Sequence, residues 1–318
     1  MNSFSDEIST ALSRHPSPKI DWDDIVGSRV RYNEYLEHIR ARAQGSWGGV
    51  EVSEILIPSP DDGYEIPARI YRSTAREDNP PALVYLHGGG FALGDLEWEE
   101  ERCKALAEVG QCAVVAVDYR LAPEGPFPMP VNDSYSALVW VAANAHEIGI
   151  DPRRLAVGGC SAGGALGAAA AHICRDRGGP ALALQVLIHP ALDATLSEPS
   201  QRAFLDREQF RSVERMWATY LAGAPRSSVY ASPANAEDFA GLPTAYIVAA
   251  GRDPYRDEAI TYARRLLAAD VSVALNVVPE LPHAFELVAP NAEVSQVAIR
   301  NQALTVGRLL REVQAGLV

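Results

Sequence analysis

The serine at position 161 lies in a sequence that suits a nucleophile. Residues Gly159-Cys160-Ser161-Ala162-Gly163 form a G-x-S-x-G pattern between an apolar strand and a helical segment. In a strand–turn–helix unit of this kind, the sharp turn exposes the serine hydroxyl at the edge of a sheet. The pattern therefore predicts that Ser161 attacks a carbonyl carbon. The neighbouring Cys160 is interpreted as a small side chain packed behind the turn.

A serine of this kind needs a base to remove its proton and a third group to orient that base. His283 lies in a loop after the last apolar strand, at the carboxyl edge of the sheet where ligands bind. Asp253 lies just past the preceding strand, and Asp257 is placed to begin the next helix as a cap or ion-pair partner. His189 ends a buried strand and is interpreted as a packed or hydrogen-bonded histidine. Ser161, His283 and Asp253 are thus the predicted catalytic residues.

Three successive glycines could bind the negative charge that develops on the attacked carbonyl oxygen. Gly88, Gly89 and Gly90 follow a short apolar strand, and their backbone can turn N–H groups toward an oxyanion. The second source of such a donor is Ala162, the residue after the nucleophile. His87, which precedes the glycines, is interpreted as holding their loop by hydrogen bonds.

Apolar strands alternate with helical segments along most of the chain, which predicts an α/β fold. Strands are predicted at 50–57, 66–71, 82–86, 114–117, 155–157, 184–188, 245–250 and 271–278. Helices are predicted at about 97–109, 131–146, 162–176, 257–269 and 293–314. The first two strands are expected to form an antiparallel hairpin. The others are expected to form a parallel sheet that helices cover on both faces.

Two apolar segments fall outside this alternation. A helical spacing of apolar side chains marks residues 22–43, and the connection over 194–235 is too apolar for a plain loop. We expect residues 1–49 and the insertion to form a helical cap over one end of the sheet. The alternative is packing on the flank of the sheet. The catalytic domain would then comprise 50–193 and 236–318.

Four aromatic residues are candidates either for a substrate pocket or for ordinary cap core: Phe91, Phe204, Trp217 and Tyr220.

Composition and charge narrow the class of protein. The 318 residues carry a net charge of −13, which disfavours a nucleic-acid partner. The sequence shows neither a signal-peptide pattern nor an apolar run long enough to span a bilayer, so we expect a cytoplasmic protein without stable membrane association. Its four cysteines are widely spaced, which predicts reduced thiols and no metal site. The acidic run Glu97-Trp98-Glu99-Glu100-Glu101 is expected to be a solvated first turn of a helix.

These residues resemble a known family, the hormone-sensitive-lipase-like carboxylesterases and their bacterial members above all. The resemblance rests on five segments, 87–91, 118–124, 159–164, 253–258 and 283–285. It implies an α/β-hydrolase fold with a mostly parallel sheet, flanking helices and a helical cap. It also implies hydrolysis of short- to medium-chain acyl esters, without a cofactor, through an acyl-enzyme on the serine. The chain order of serine, acid and histidine is the one expected for that fold.

Two positions depart from the family pattern. Cys160 stands where Asp or Glu is usual, and Ala284 stands where Gly is usual, but neither change removes a catalytic group. An amidase or deacetylase with the same triad is an alternative function. A non-catalytic ligand receptor on the same fold is another, which the complete triad disfavours. Relatives often dimerise, and the strand over 271–278 is a plausible edge for a homodimer.

Overall fold

The computed structural model describes residues 4–41, 47–75 and 77–314. The helix predicted over 22–43 ends outside these residues. The predicted domains begin at residue 1 and end at residue 318, and these two positions also lie outside the described ranges. Within the described ranges, the strands are β1 Val50–Pro58, β2 Glu65–Ser73, β3 Ala82–Leu86, β4 Ala113–Val117, β5 Leu155–Cys160, β6 Leu184–Ile188, β7 Thr244–Ala250 and β8 Val273–Val278. The helices are α1 Phe4–Arg14, α2 Ile25–Arg40, α3 Glu100–Glu108, α4 Met129–Ala143, α5 Ala162–Arg177, α6 Pro199–Phe204, α7 Arg207–Leu221, α8 Arg256–Ala268, α9 Phe285–Val288 and α10 Glu293–Gln314.

The strands form one sheet in the order β1-β2-β4-β3-β5-β6-β7-β8. β1 pairs with β2, and β2 with β4, in antiparallel register, whereas every other neighbouring pair is parallel. Every residue of β3, β4, β5 and β6 is buried, because helices cover both faces of the sheet. The structure therefore confirms the predicted α/β class, the antiparallel hairpin and the mostly parallel sheet.

The parallel strands bring distant segments to one edge of the sheet. β5 lies at the centre, between β3 and β6, and its carboxyl end runs directly into α5. The glycine loop follows β3, and the segments that carry Asp253 and His283 follow β7 and β8. Because parallel strands all end at the same edge, these loops converge there.

Polar contacts join the N-terminal segment to the insertion. Lys19 pairs with Glu208 at 2.7 Å, and the Trp22 indole N–H donates to the Ser212 hydroxyl at 2.8 Å. The guanidinium of Arg29 also donates to the carbonyl of Ala92, just past the glycine loop, at 2.8 Å. We propose on these contacts that the N-terminal helices and the insertion together form the cap.

Several features differ from the sequence expectation or add to it. The helix α1 was not predicted, and its Ile8 is buried against Leu281 and Phe285, beside the loop that carries His283. β8 is an edge strand, and a homodimer through it stays a prediction. Among the described helices, none combines the length and the apolar character needed to cross a membrane.

Candidate active site

The turn between β5 and α5 holds Ser161 in a strained conformation. Its backbone has φ 57° and ψ −117°, a region that costs a non-glycine residue about 1–3 kcal/mol. The Ser161 N–H donates to the Ile188 carbonyl at 2.8 Å, which holds the turn against β6. A Cβ at Gly163 would lie 1.9 Å from the Leu86 carbonyl oxygen, so only glycine permits this close approach of helix and strand. The local sequence therefore determines the position of the serine at the turn between strand and helix.

The three predicted catalytic side chains meet at the carboxyl edge of the sheet. His283 Nε2 lies 2.9 Å from Ser161 Oγ, and His283 Nδ1 lies 2.7 Å from Asp253 Oδ2. The Asp253 side chain is 1% exposed, and its other oxygen accepts the Tyr255 N–H at 2.8 Å. This is the arrangement in which a histidine can take the proton of a serine while a carboxylate orients the ring.

Opposing influences act on the pKa of His283. Burial has the largest effect and would lower the pKa, because a charged imidazolium loses hydration. The charge and hydrogen bond of Asp253, with smaller contributions from Glu286 and Glu99, outweigh burial and raise the pKa above its ordinary value. A raised pKa makes His283 a stronger base toward Ser161.

The sequence predicted three glycine N–H groups as donors to an oxyanion, and the structure leaves two of them as candidates. Gly88 donates its N–H to Glu99 Oε1 at 2.9 Å, so the prediction that it binds an oxyanion is wrong. Gly89 and Gly90 have φ of 125° and 62°, which glycine adopts without strain. Within the described ranges, the N–H groups of Gly89, Gly90 and Ala162 donate to no acceptor. These three groups are the candidate oxyanion donors.

His87 and Cys160 take the structural places that the sequence predicted for them. His87 Nδ1 donates to the Gly88 carbonyl at 2.7 Å, and its ring stacks on Tyr119 with centroids 4.4 Å apart. The Tyr119 hydroxyl in turn donates to the His87 carbonyl at 2.8 Å, which ties down the start of the glycine loop. The Cys160 side chain is buried, and burial raises the pKa of its thiol well above the ordinary value. A buried neutral thiol is a poor nucleophile.

The predicted aromatic candidates belong mainly to the core. Phe91 stacks on Tyr220 at 3.9 Å between centroids and lies 5.2 Å from Trp217. All three side chains are at most 1% exposed, so they do not line an open pocket, and the cap-core alternative is correct for them. Phe204 is partly exposed, with the guanidinium of Arg256 4.9 Å above its ring.

A methionine of the insertion, which sequence reasoning did not single out, lies against the glycine loop. A Cβ built on Gly90 would lie 3.1 Å from Met216 Sδ and 4.0 Å from the Trp22 ring. The same sulfur lies 3.9 Å from the Tyr255 hydroxyl, and the Tyr255 ring packs edge-on against His283 with centroids 5.0 Å apart. The sequence placed Met216 in an apolar insertion, but no pattern indicated its contact with the glycine loop.

Comparison with known proteins identifies the family of this chain. A family model described as an alpha/beta hydrolase fold matches residues 83–287. The carboxylesterase NlhH of Mycobacterium tuberculosis is 42% identical over 256 residues, covering 75% of this chain and 79% of the relative. The ethyl acetate hydrolase of Pseudomonas putida is 36% identical over 234 residues, covering 70% of this chain and 72% of the relative.

A solved structure extends the likeness to the whole fold. A bacterial heroin esterase superposes with a TM-score of 0.88 at 38% identity, covering 96% of this chain and 97% of the other. The resemblance found in the sequence is thereby confirmed. The chain belongs to the α/β-hydrolase fold family and, within it, to the hormone-sensitive-lipase-like carboxylesterases.

Proposed function

We propose that this protein hydrolyses short- to medium-chain carboxylic esters through Ser161, His283 and Asp253. The observation that carries the proposal is the continuous contact from Ser161 Oγ to His283 at 2.9 Å and from His283 to Asp253 at 2.7 Å. Relatives that are named carboxylesterase and ethyl acetate hydrolase support the same reaction class.

The first half of the reaction forms an acyl-enzyme. His283 Nε2 takes the proton of Ser161 as the hydroxyl oxygen attacks the ester carbonyl carbon. The N–H groups of Gly89, Gly90 and Ala162 stabilise the negative charge on the carbonyl oxygen. The protonated His283 then gives its proton to the departing alkoxide, so the alcohol leaves and the acyl group stays on the serine.

The second half releases the acid. A water molecule gives a proton to His283 Nε2 and attacks the acyl carbon, and the same N–H groups stabilise the second oxyanion. The proton then returns to Ser161 as the acyl–oxygen bond breaks. Throughout both halves Asp253 keeps the proton on Nδ1 of His283, which leaves Nε2 free to act as base and acid.

The cap supports a preference for short acyl groups. Met216 lies against Gly90 and is only 7% exposed, so a substrate must pack against or displace this side chain. Methionine is flexible enough to move for a modestly larger group. We therefore expect activity to be highest on short acyl chains and to fall as the chain lengthens.

Hydrolysis of p-nitrophenyl esters from acetate to dodecanoate, with Ser161→Ala beside wild type, tests the proposal. We expect the variant to lose about 10⁶-fold in kcat, the size of loss known for removal of a triad serine. Ser134→Ala is a matched control, because that buried hydroxyl donates only to the Pro130 carbonyl within its own helix. Turnover by Ser161→Ala at the wild-type rate would refute the proposal. A faster reaction on the matched p-nitroanilides would instead favour an amidase.

A further inference from the structure

The acidic run before α3 does not have the solvated structure that its sequence predicts. Glu99 is 6% exposed, although it stands among four glutamates of a five-residue run. Its carboxylate accepts the Gly88 N–H at 2.9 Å, the Arg102 Nε–H at 2.9 Å and the Tyr85 hydroxyl. Burial of a carboxylate is costly unless such donors compensate it. The prediction was wrong for Glu99 because tertiary contacts supply those donors.

Glu99 contacts the glycine loop close to the elbow. A Cβ at Gly88 would lie 3.3 Å from Glu99 Oε1, 3.3 Å from the Cys160 carbonyl oxygen and 3.5 Å from Ser161 Cβ. Gly88 therefore packs closely against both the carboxylate and the nucleophile turn. Since glycine has a wide choice of backbone conformations, an external contact must select the one that the loop adopts.

Further buried contacts lead from Glu99 to the triad acid. Arg102 lies 3.7 Å from the Glu286 carboxylate, which in turn lies 3.1 Å from His189 Nε2. The other ring nitrogen of His189 lies 3.8 Å from Asp253 Oδ2. The five side chains are each at most 6% exposed, so water screens these charges weakly.

We propose that Glu99 is a positioning residue for the oxyanion hole. By fixing the Gly88 N–H, its carboxylate turns the N–H groups of Gly89 and Gly90 toward the reacting carbonyl oxygen. Through Arg102 and Glu286, it also belongs to the charge array that surrounds the triad acid. This inference rests on the proposed ester hydrolysis, and Glu99 itself touches neither the substrate nor the reacting atoms.

The charge of Glu99 provides a signature that a purely structural contact lacks. Its negative charge is among the influences that raise the pKa of His283. Replacing the carboxylate by an amide should therefore lower the pKa of His283 and move the acid limb of kcat/KM to lower pH. A loss of folded protein alone would not move that limb.

The test compares Glu99→Gln with Glu100→Gln, whose partly exposed carboxylate pairs with Lys104 at 3.2 Å. For Glu99→Gln on p-nitrophenyl acetate we expect kcat to fall about 10- to 100-fold, less than or equal to the 10²–10³-fold loss of a whole oxyanion donor. KM should change little, and the acid limb should shift to lower pH. Binding of methyl trifluoromethyl ketone, whose carbonyl adds the serine oxygen to form an oxyanion, should weaken in proportion to kcat/KM. Glu100→Gln should match wild type in all four measurements.

The outcomes separate this inference from the proposed function. An active Ser161→Ala variant would refute the ester hydrolysis itself. With that variant inactive, wild-type kcat and ketone affinity in folded Glu99→Gln would overturn only the role of Glu99. So would a fall in kcat without a change in ketone affinity or in the acid limb.

If Glu99→Gln does not fold, Tyr85→Phe replaces it in the same assays. This variant removes one donor to the Glu99 carboxylate and leaves the Gly88 and Arg102 contacts in place. We expect kcat and ketone affinity to fall together, by less than the loss expected for a folded Glu99→Gln. Values equal to wild type for both would overturn the proposal.

Discussion

Asparagine at position 253 should disable the histidine without disturbing the fold. Asp253 Oδ1 accepts the Tyr255 N–H at 2.8 Å, while Oδ2 faces His283 Nδ1 at 2.7 Å. In Asp253→Asn the backbone donor of Tyr255 requires the amide oxygen on its side. The amide NH₂ is therefore forced toward His283.

This orientation reverses the tautomer of His283. An NH₂ group facing Nδ1 can be bonded only if Nδ1 has no proton, so the proton of the neutral ring moves to Nε2. Nε2 lies 2.9 Å from Ser161 Oγ and then cannot accept the serine proton. The corresponding change in a serine protease lowers kcat about 10⁴-fold with the geometry intact. A loss of that size corresponds to about 5.5 kcal/mol of activation free energy.

The assay is kcat and KM for p-nitrophenyl acetate, with thermal unfolding measured in parallel. Asp257→Asn is the matched control, since that carboxylate accepts from the Ser200 N–H at 2.9 Å and from Arg256 at 2.7 Å, away from His283. We expect Asp253→Asn to lose about 10⁴-fold in kcat, with KM little changed, and Asp257→Asn to retain wild-type kcat. If folded Asp253→Asn kept a tenth or more of the wild-type kcat, or if Asp257→Asn lost more, Asp253 would not be the triad acid.

Three further changes test other parts of the structure. Cys160→Ala should keep kcat within about threefold of wild type, because its thiol is buried and neutral. For the same reason iodoacetamide should not label Cys160 in the native protein. A large loss of kcat would instead favour the thiol as nucleophile. Ala284→Gly should raise the free energy of unfolding in urea by about 0.5–1 kcal/mol, because Ala284 has φ 49° and glycine relieves that strain at some cost in chain entropy; a loss of stability would contradict this. Burial raises the pKa of Glu258 well above its ordinary 4.5, so its contribution to stability is present below pH 4.5 and is lost as pH rises toward the folded-state pKa. Glu258→Gln should lack that loss, so in urea unfolding its stability relative to wild type should be greater at pH 8 than at pH 5; an equal difference at both would refute the reasoning.

The two histidines that follow α5 show what could be predicted from the sequence and what could not. His283 was recognisable as the candidate base because it follows the last strand of an alternating pattern, and parallel strands end at one edge. His189 was expected to be packed or hydrogen-bonded, and it lies 3.1 Å from Glu286. No pattern in the sequence identified Glu286 as its partner, because the contact joins residues 97 positions apart.

Local chemistry explains why the elbow was predictable. The glycines around Ser161 are required by a backbone approach that only small residues allow, so the sequence carries that constraint in a few adjacent positions. The strands were predictable for a similar reason, since a strand that is buried along its whole length has an uninterrupted apolar sequence.

Only the tertiary structure decided which groups the glycine loop and the insertion contact. The sequence made Gly88 equivalent to Gly89 and Gly90, and one buried carboxylate from Glu99 makes it different. Likewise, nothing local to Met216 indicates that it covers Gly90. The sequence by itself determined the fold class and the three candidate catalytic side chains, because these follow from periodicity and short-range sterics. The choice of candidate oxyanion donors and the contact of Met216 with the glycine loop depend on distant segments, which come together only when the chain is folded.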